Sequence, residues 1–159
     1  MKNKKLTISH FALVINKGFT LIEMLVVISI IGVLASLVLV SYSGAQKQAR
    51  DTQRKSDLKQ YQNVLENYSN THSGLYPVVA AATNVSSMCS TLGLGVNGTC
   101  ANDPKIQNAY YYLSNASGTV NLLWAKTENV EGYWIVCSNG KTGQTVLEMS
   151  GRTDSSCPL

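Results

Sequence analysis

Apolar residues run almost unbroken from Phe19 to Val40. They then give way to a three- and four-residue spacing, and later to short runs separated by turn residues. The first run is about 33 Å long at ~1.5 Å per helical residue, enough to cross a bilayer core of about 30 Å. Its only charged residue is Glu23. A carboxylate inside such a run costs at least ~2.5 kcal/mol and points to a function.

Beyond Val40, Ser41-Tyr42-Ser43-Gly44 is a stretch of weak helix formers. Tyr42, Ala45, Ala49, Thr52 and Ser56 then share one helical stripe, and Leu58, Tyr61, Leu65 and Tyr68 form a more apolar one. Asp51 lies at helical pairing distance from Arg54 and Lys55. Gly74, with Pro77 beyond it, supplies a stop. The pattern predicts one helix from about Phe19 to His72, apolar in its first half and amphipathic in its second. From Leu75 to Asp103 the chain shows little pattern, and Gly93-x-Gly95-x-x-Gly98 lacks the strand and helix that would make it a nucleotide loop. Ala109–Leu113, Thr119–Thr127, Tyr133–Ser138 and Thr145–Met149 read as strands. Ser114–Gly118, Glu131-Gly132 and Asn139-Gly140 are the turns between them. The expected fold is α+β: a long N-terminal helix packed on a small antiparallel sheet. Tyr110–Tyr112, Trp124 and Trp134 read as its core and rim.

Charge changes the picture less than the formal +4 suggests. Lys2, Lys4, Lys5 and Lys17 all precede Phe19, and without those four the chain is near neutral. The basic balance therefore does not by itself indicate a nucleic-acid partner. A cluster remains at Lys47, Arg50, Arg54, Lys55 and Lys59, with two readings: a surface for DNA or anionic lipid, or a solvated helix face laced with Asp51 and Asp57. These cations compete with the leader lysines under the positive-inside rule, so flanking charge leaves the orientation open.

The four cysteines, Cys89, Cys100, Cys137 and Cys157, lack metal-site spacing and read as disulfides of an oxidising compartment. Of three connectivities, Cys89–Cys100 and Cys137–Cys157 join the pairs nearest in sequence. The cysteines place the C-terminal part outside the cell's reducing interior. No nucleophile–base pair and no metal-ligand spacing is evident, and neither enzyme activity nor a cofactor is expected.

The stretch KGFTLIEMLVVISIIGVLAS, Lys17 to Ser36, resembles the leader junction and N-terminal helix of type IV pilins and type II secretion pseudopilins. The resemblance implies residues 1–18 as leader, 19–40 as membrane and assembly helix, 41–74 as its amphipathic continuation, and 75–159 as a disulfide-stapled β head. It implies cleavage between Gly18 and Phe19 by a prepilin peptidase, which also methylates the Phe19 amine. Glu23, without a partner of its own before cleavage, would pair with the Phe19 amine of a neighbouring subunit. The implied partners are other pilin subunits, the peptidase, an inner-membrane assembly platform and membrane lipid. The head would lie outside a single inner-membrane span, and later in a surface pilus or periplasmic pseudopilus. The alternative is a membrane-tethered binding module for adhesion or DNA capture. Two departures stand out. Gly151–Cys157 is serine-rich where many major pseudopilins carry an acidic calcium loop, which leans towards a pilin or minor pilin. Val40 stands where many type IV pilins carry a proline.

Overall fold

The structure, a computed structural model, describes residues 18–92 and 100–159. The Gly93–Gly98 motif therefore lies outside the described residues. The chain divides into two compact units, Met1–Val40 and Ser41–Leu159. Helix α1 runs from Leu21 to Thr71. In its first half the large apolar side chains from Leu21 to Leu39 are all exposed.

In the second unit the expected stripe does the packing. Leu58, Tyr61 and Leu65 are buried, whereas Tyr42, Ala45, Ala49, Thr52 and Ser56 stay exposed. Helix α1 closes with Ser73 and Gly74 both at positive φ (57° and 81°). The Gly74 N–H donates to the Ser69 carbonyl at 2.8 Å, the six-to-one bond of a Schellman close.

The sheet is an antiparallel meander in the order β1-β2-β3-β4-β5. Its strands are β1 Thr83–Asn84, β2 Tyr110–Ser114, β3 Asn121–Lys126, β4 Tyr133–Cys137 and β5 Thr142–Thr145. Three of these fall within a residue or two of the expected positions. The last does not: Thr145–Met149 was the expected strand, and the observed one ends where that begins. The reason is the turn. Gly140, at φ 83°, closes a three-residue loop in which its N–H donates to the Cys137 carbonyl. That places Thr142 opposite Val136 and starts pairing at once.

The unpatterned stretch also hides two elements, β1 and a short helix α2, Val85–Leu92. Asn84 starts α2 by accepting the Ser86 N–H on its side-chain oxygen at 3.0 Å. Val85, Met88 and Cys89 then share one buried face. With so few apolar residues the period was too short to read.

Both faces of the sheet are buried, which explains the continuous run Leu122-Leu123-Trp124-Ala125. Tyr110, Tyr112, Leu123, Ala125 and Val136 pack with Leu58, Tyr61 and Leu65 of α1 and with α2. On the opposite face Leu113, Leu122, Trp124, Ile135 and Cys137 pack with Met149 from the C-terminal segment. The structure joins Cys137 to Cys157 and Cys89 to Cys100, with Cα separations of 5.8 and 6.1 Å. The first bond anchors the C-terminal segment over the outer face, and the second ties α2 to the irregular segment leading into the Asp103 turn. Replacing Cys137 and Cys157 together by alanine is expected to cost about 2–4 kcal/mol. Chemical unfolding monitored by tryptophan fluorescence checks this, with a red shift as Trp124, now 1% exposed, gains solvent.

Candidate functional site

The apolar helix presents its processing and assembly candidates openly. Phe19 is 76% exposed, and nothing approaches the place a Gly18 side chain would occupy. Glu23, however, is not unpartnered, which corrects the expectation from sequence. Thr20 and Glu23 form a capping box. The Glu23 carboxylate accepts the Thr20 N–H at 3.2 Å and the Thr20 hydroxyl at 3.3 Å, and the Thr20 oxygen accepts the Glu23 N–H at 3.2 Å. Thr-x-x-Glu is the sequence signature of that box, so Glu23 is the closing member of a local pair rather than an isolated acid. An acid also suits this end of the helix dipole. Ser29 and Ser36 donate to the carbonyls of Val26 and Val33, both at 2.7 Å, so their hydroxyls need no outside partner in an apolar medium. An 18-residue window of mean hydropathy 2.8, none of it buried, makes α1 long and apolar enough to cross a membrane.

The basic cluster of the second unit is divided by the fold. Arg54 is fully buried and cannot belong to a cationic surface. Its guanidinium meets Asp103 in a bidentate pair at 2.6 and 2.7 Å, Asp51 at 2.7 Å and Glu128 at 2.7 Å. Arg50 makes a second bidentate pair with Glu128 at 2.9 and 2.7 Å, and Lys105 reaches the same carboxylate at 2.7 Å. Asp51 accepts the backbone N–H groups of Glu128 and Asn129. Three cations thus face three acids in one node, which binds α1 to the β3–β4 loop and to the Asp103–Asn108 turn. Asp103 and Glu128 were not readable as partners of Arg54, because 49 and more residues separate them.

The remaining cations stay at the surface. Lys55 lies 4.2 Å over the Trp134 ring, a cation–π contact made across the fold. Lys59 donates to Gln62 at 2.9 Å, and Lys47 is exposed.

Electrostatics follow this geometry. Hydrogen bonds from Arg50, then Lys105 and Arg54, hold the Glu128 carboxyl far below its usual range despite desolvation. Burial works against the charge on Arg54, but Asp103, Glu128 and Asp51 outweigh it and push its pKa up. Further along α1, Asp57 accepts the hydroxyl of Tyr110 from β2 at 2.6 Å, and burial together with this bond pushes that hydroxyl up. Tyr61, pushed up to about 12 by burial and Asp57, donates to the Ala101 carbonyl. These are the signs of a structural polar network rather than of a reacting group. Among the described residues no group of three or more His, Cys, Asp or Glu is placed to hold a metal.

An apolar helix with one capped acid, continuing into an amphipathic half packed on an antiparallel meander, is a pilin-like α+β arrangement. Comparison with known proteins gives the same class. Residues 15–39 match the prokaryotic N-terminal methylation motif. The type II secretion system core protein G of Escherichia coli (strain K12) is 40% identical over 74 residues, covering 42% of this chain and 51% of that protein. The type IV major pilin protein PilE of Neisseria gonorrhoeae is 26% identical over 149 residues, 86% of each chain. The alignment thus spans about half of the first relative and most of the second. No solved structure matches the chain. The chain carries the prepilin-type motif and is homologous to pilins and pseudopilins, and these relatives are structural proteins rather than enzymes.

Replacing Arg54 by methionine is expected to destabilise the second unit by about 3–5 kcal/mol, because it strands buried carboxylates. Urea unfolding measures this. Acid should act on the same node. The depressed pKa of Glu128 makes its contribution complete above the unfolded carboxylate value of about 4.3. That contribution is then lost as pH falls towards the lower folded value. Unfolding midpoints measured from pH 7 to pH 3 should fall below about pH 4.3, and Glu128→Gln should flatten the fall.

Proposed function

We propose that this chain is a structural subunit of a type IV pilus or of a type II secretion-like pseudopilus, held in the membrane by residues 19–40 before assembly. One observation carries the reading: an apolar helix whose large side chains are all exposed and whose only acid sits in its first turn. Such a surface needs lipid or other helices to cover it. Lipid covers it before assembly and neighbouring copies afterwards.

Residues 1–18 act as a leader. A prepilin peptidase cleaves the exposed Gly18–Phe19 bond and methylates the new amine. Cleavage creates a cation at Phe19, directly before Thr20 and four residues before Glu23, the two members of the capping box. Glu23 then exchanges the neutral donors of Thr20 for the cationic amine of a neighbour's Phe19. A cationic donor adds the attraction of opposite full charges, which is strong in an apolar medium, so the exchange favours docking in one register. Copies added by the same heterologous contact extend without closing, which produces a filament. The disulfides and the apolar span support an extracytoplasmic head on an inner-membrane anchor, delivered to an assembly platform in that membrane.

Intact-mass analysis of protein from cells is expected to show a chain beginning at methylated Phe19, and a chain beginning near Gly44 would overturn the reading. Glu23→Ala should abolish filament incorporation while the head keeps its unfolding midpoint. Normal incorporation of this variant would remove the pairing step.

A further inference from the structure

The outer face of the sheet is not wholly covered. Between residues 149–153 of the C-terminal segment and Ala81-Ala82, just before β1, lies a cleft of about 230 Å³. Trp124, buried on that face, forms its floor, with the exposed Tyr111 ring stacked beside it at 5.6 Å, and Tyr133 and Met149 also line it. The Cys137–Cys157 bond holds the segment that makes one wall. The charges at the rim are engaged. Arg152 donates to oxygens of Asp154 and Ser156 and has the Met149 sulfur at 4.0 Å, and Glu148 accepts from Tyr133 and Ser150. The cleft therefore suits an apolar occupant rather than an ion. An apolar cavity of about 150 Å³ takes a benzene molecule, and drug-sized pockets begin at roughly 300 Å³. This one has the size of a single large side chain.

Elsewhere in the head one apolar side chain serves nothing in its own fold. Ile106 is fully exposed at the tip of a turn closed by the Asn108 N–H, which donates to the Lys105 carbonyl at 2.9 Å. Turns favour Gly, Pro, Asn, Asp and Ser, so turn chemistry does not account for a β-branched apolar residue there. The turn is also held in place. The Lys105 N–H donates to Asp103 at 2.8 Å, and Asp103 grips the buried Arg54. The Lys105 ammonium is taken by Glu128 at 2.7 Å, so the tip brings no free cation with it. A side chain presented by a fixed backbone loses little freedom on docking. The turn is tied to α1, which covers one face of the sheet, whereas the cleft opens on the other. Each copy can thus offer its tip to one neighbour and its cleft to another, a heterologous contact that extends without closing.

We infer that the aromatic cleft is a docking site for a second copy of this chain, whose Ile106 enters it on assembly. The inference rests on the reading of this chain as a filament subunit, which keeps copies close enough for a one-residue contact to count. Docking takes Ile106 and the Tyr111 ring out of water together. It adds a contact between heads to the one made by the apolar helices.

Filaments sheared from cells that express the full chain test it. Ile106→Asp, at an exposed tip, and Ala81→Phe, which fills the cleft from its exposed edge, should each speed loss of subunits in mild detergent about tenfold, the effect of withdrawing one large apolar side chain from a contact. Both should keep the unfolding midpoint of the head. The double variant should be no worse than either single one, because both remove the same contact. In filaments of a chain carrying Ile106→Cys and Thr153→Cys together, mild oxidation should give a ladder of covalent oligomers, and neither single variant should give one. If filaments form but the variants lose subunits at the rate of the unaltered chain, or no ladder appears, the docking site is overturned and the filament reading stands. A covalent dimer without higher steps overturns the open-ended contact. If the unaltered chain never enters a filament, the filament reading fails and takes this inference with it.

Discussion

The head depends on one buried cation. Arg54 has no contact with water, and its guanidinium is satisfied by carboxylates from three separate parts of the chain: Asp51 on its own helix, Asp103 before β2, and Glu128 after β3. A buried ion network of this kind adds little net stability over an apolar substitute, but it is costly to break from one side. Its effect is specificity of arrangement. It sets the helix at one rotation and height against the sheet and forces two irregular connections into single conformations. The apolar stripe of Leu58, Tyr61 and Leu65 could slide along a smooth apolar sheet face, and the node removes that freedom.

The sheet needs covers on both faces, and only one comes from the helix. The other is the C-terminal segment, which is irregular, serine-rich and has little apolar surface besides Met149. A segment of that composition does not stay on a sheet by hydrophobic burial alone. The Cys137–Cys157 bond keeps it there, on the strand whose outer face it covers. Small domains commonly meet a thin core with such staples. Trp124 and Ile135 are therefore buried as much by a covalent bond as by packing.

The two units manage their apolar surface in opposite ways. The head packs most of its large side chains into two cores, leaving a minority such as Ile106 and Val146 open, whereas the segment from Leu21 to Leu39 leaves all of its own open. In that open segment the polar groups are nonetheless satisfied internally. Ser29 and Ser36 bond back to the helix, and Glu23 and Thr20 cap each other. This combination suits a helix long and apolar enough to cross a membrane. Under the proposed assembly, the capping box would give Glu23 a neutral resting partner until a cationic one arrives.

Local pattern was enough for the features set by neighbours in sequence. The apolar run with its acid, the stripe of Leu58, Tyr61 and Leu65, the helix stop near Gly74 and the three central strands all follow from spacing, propensity and turn residues. Those terms act over a few positions and are written in the chain at short range. What could not be read there came from long-range juxtaposition. Arg54 looks like its neighbours Lys55 and Lys59 until Asp103 and Glu128 arrive from far along the chain and take it into the core. The last strand shifted because a three-residue turn, rather than apolar content, chose its register. Helix α2 became visible only when a core appeared for Val85 and Met88 to enter. A side chain's fate as surface or core is a property of what the fold brings opposite it, and for a charged residue that is decided by partners no local window contains.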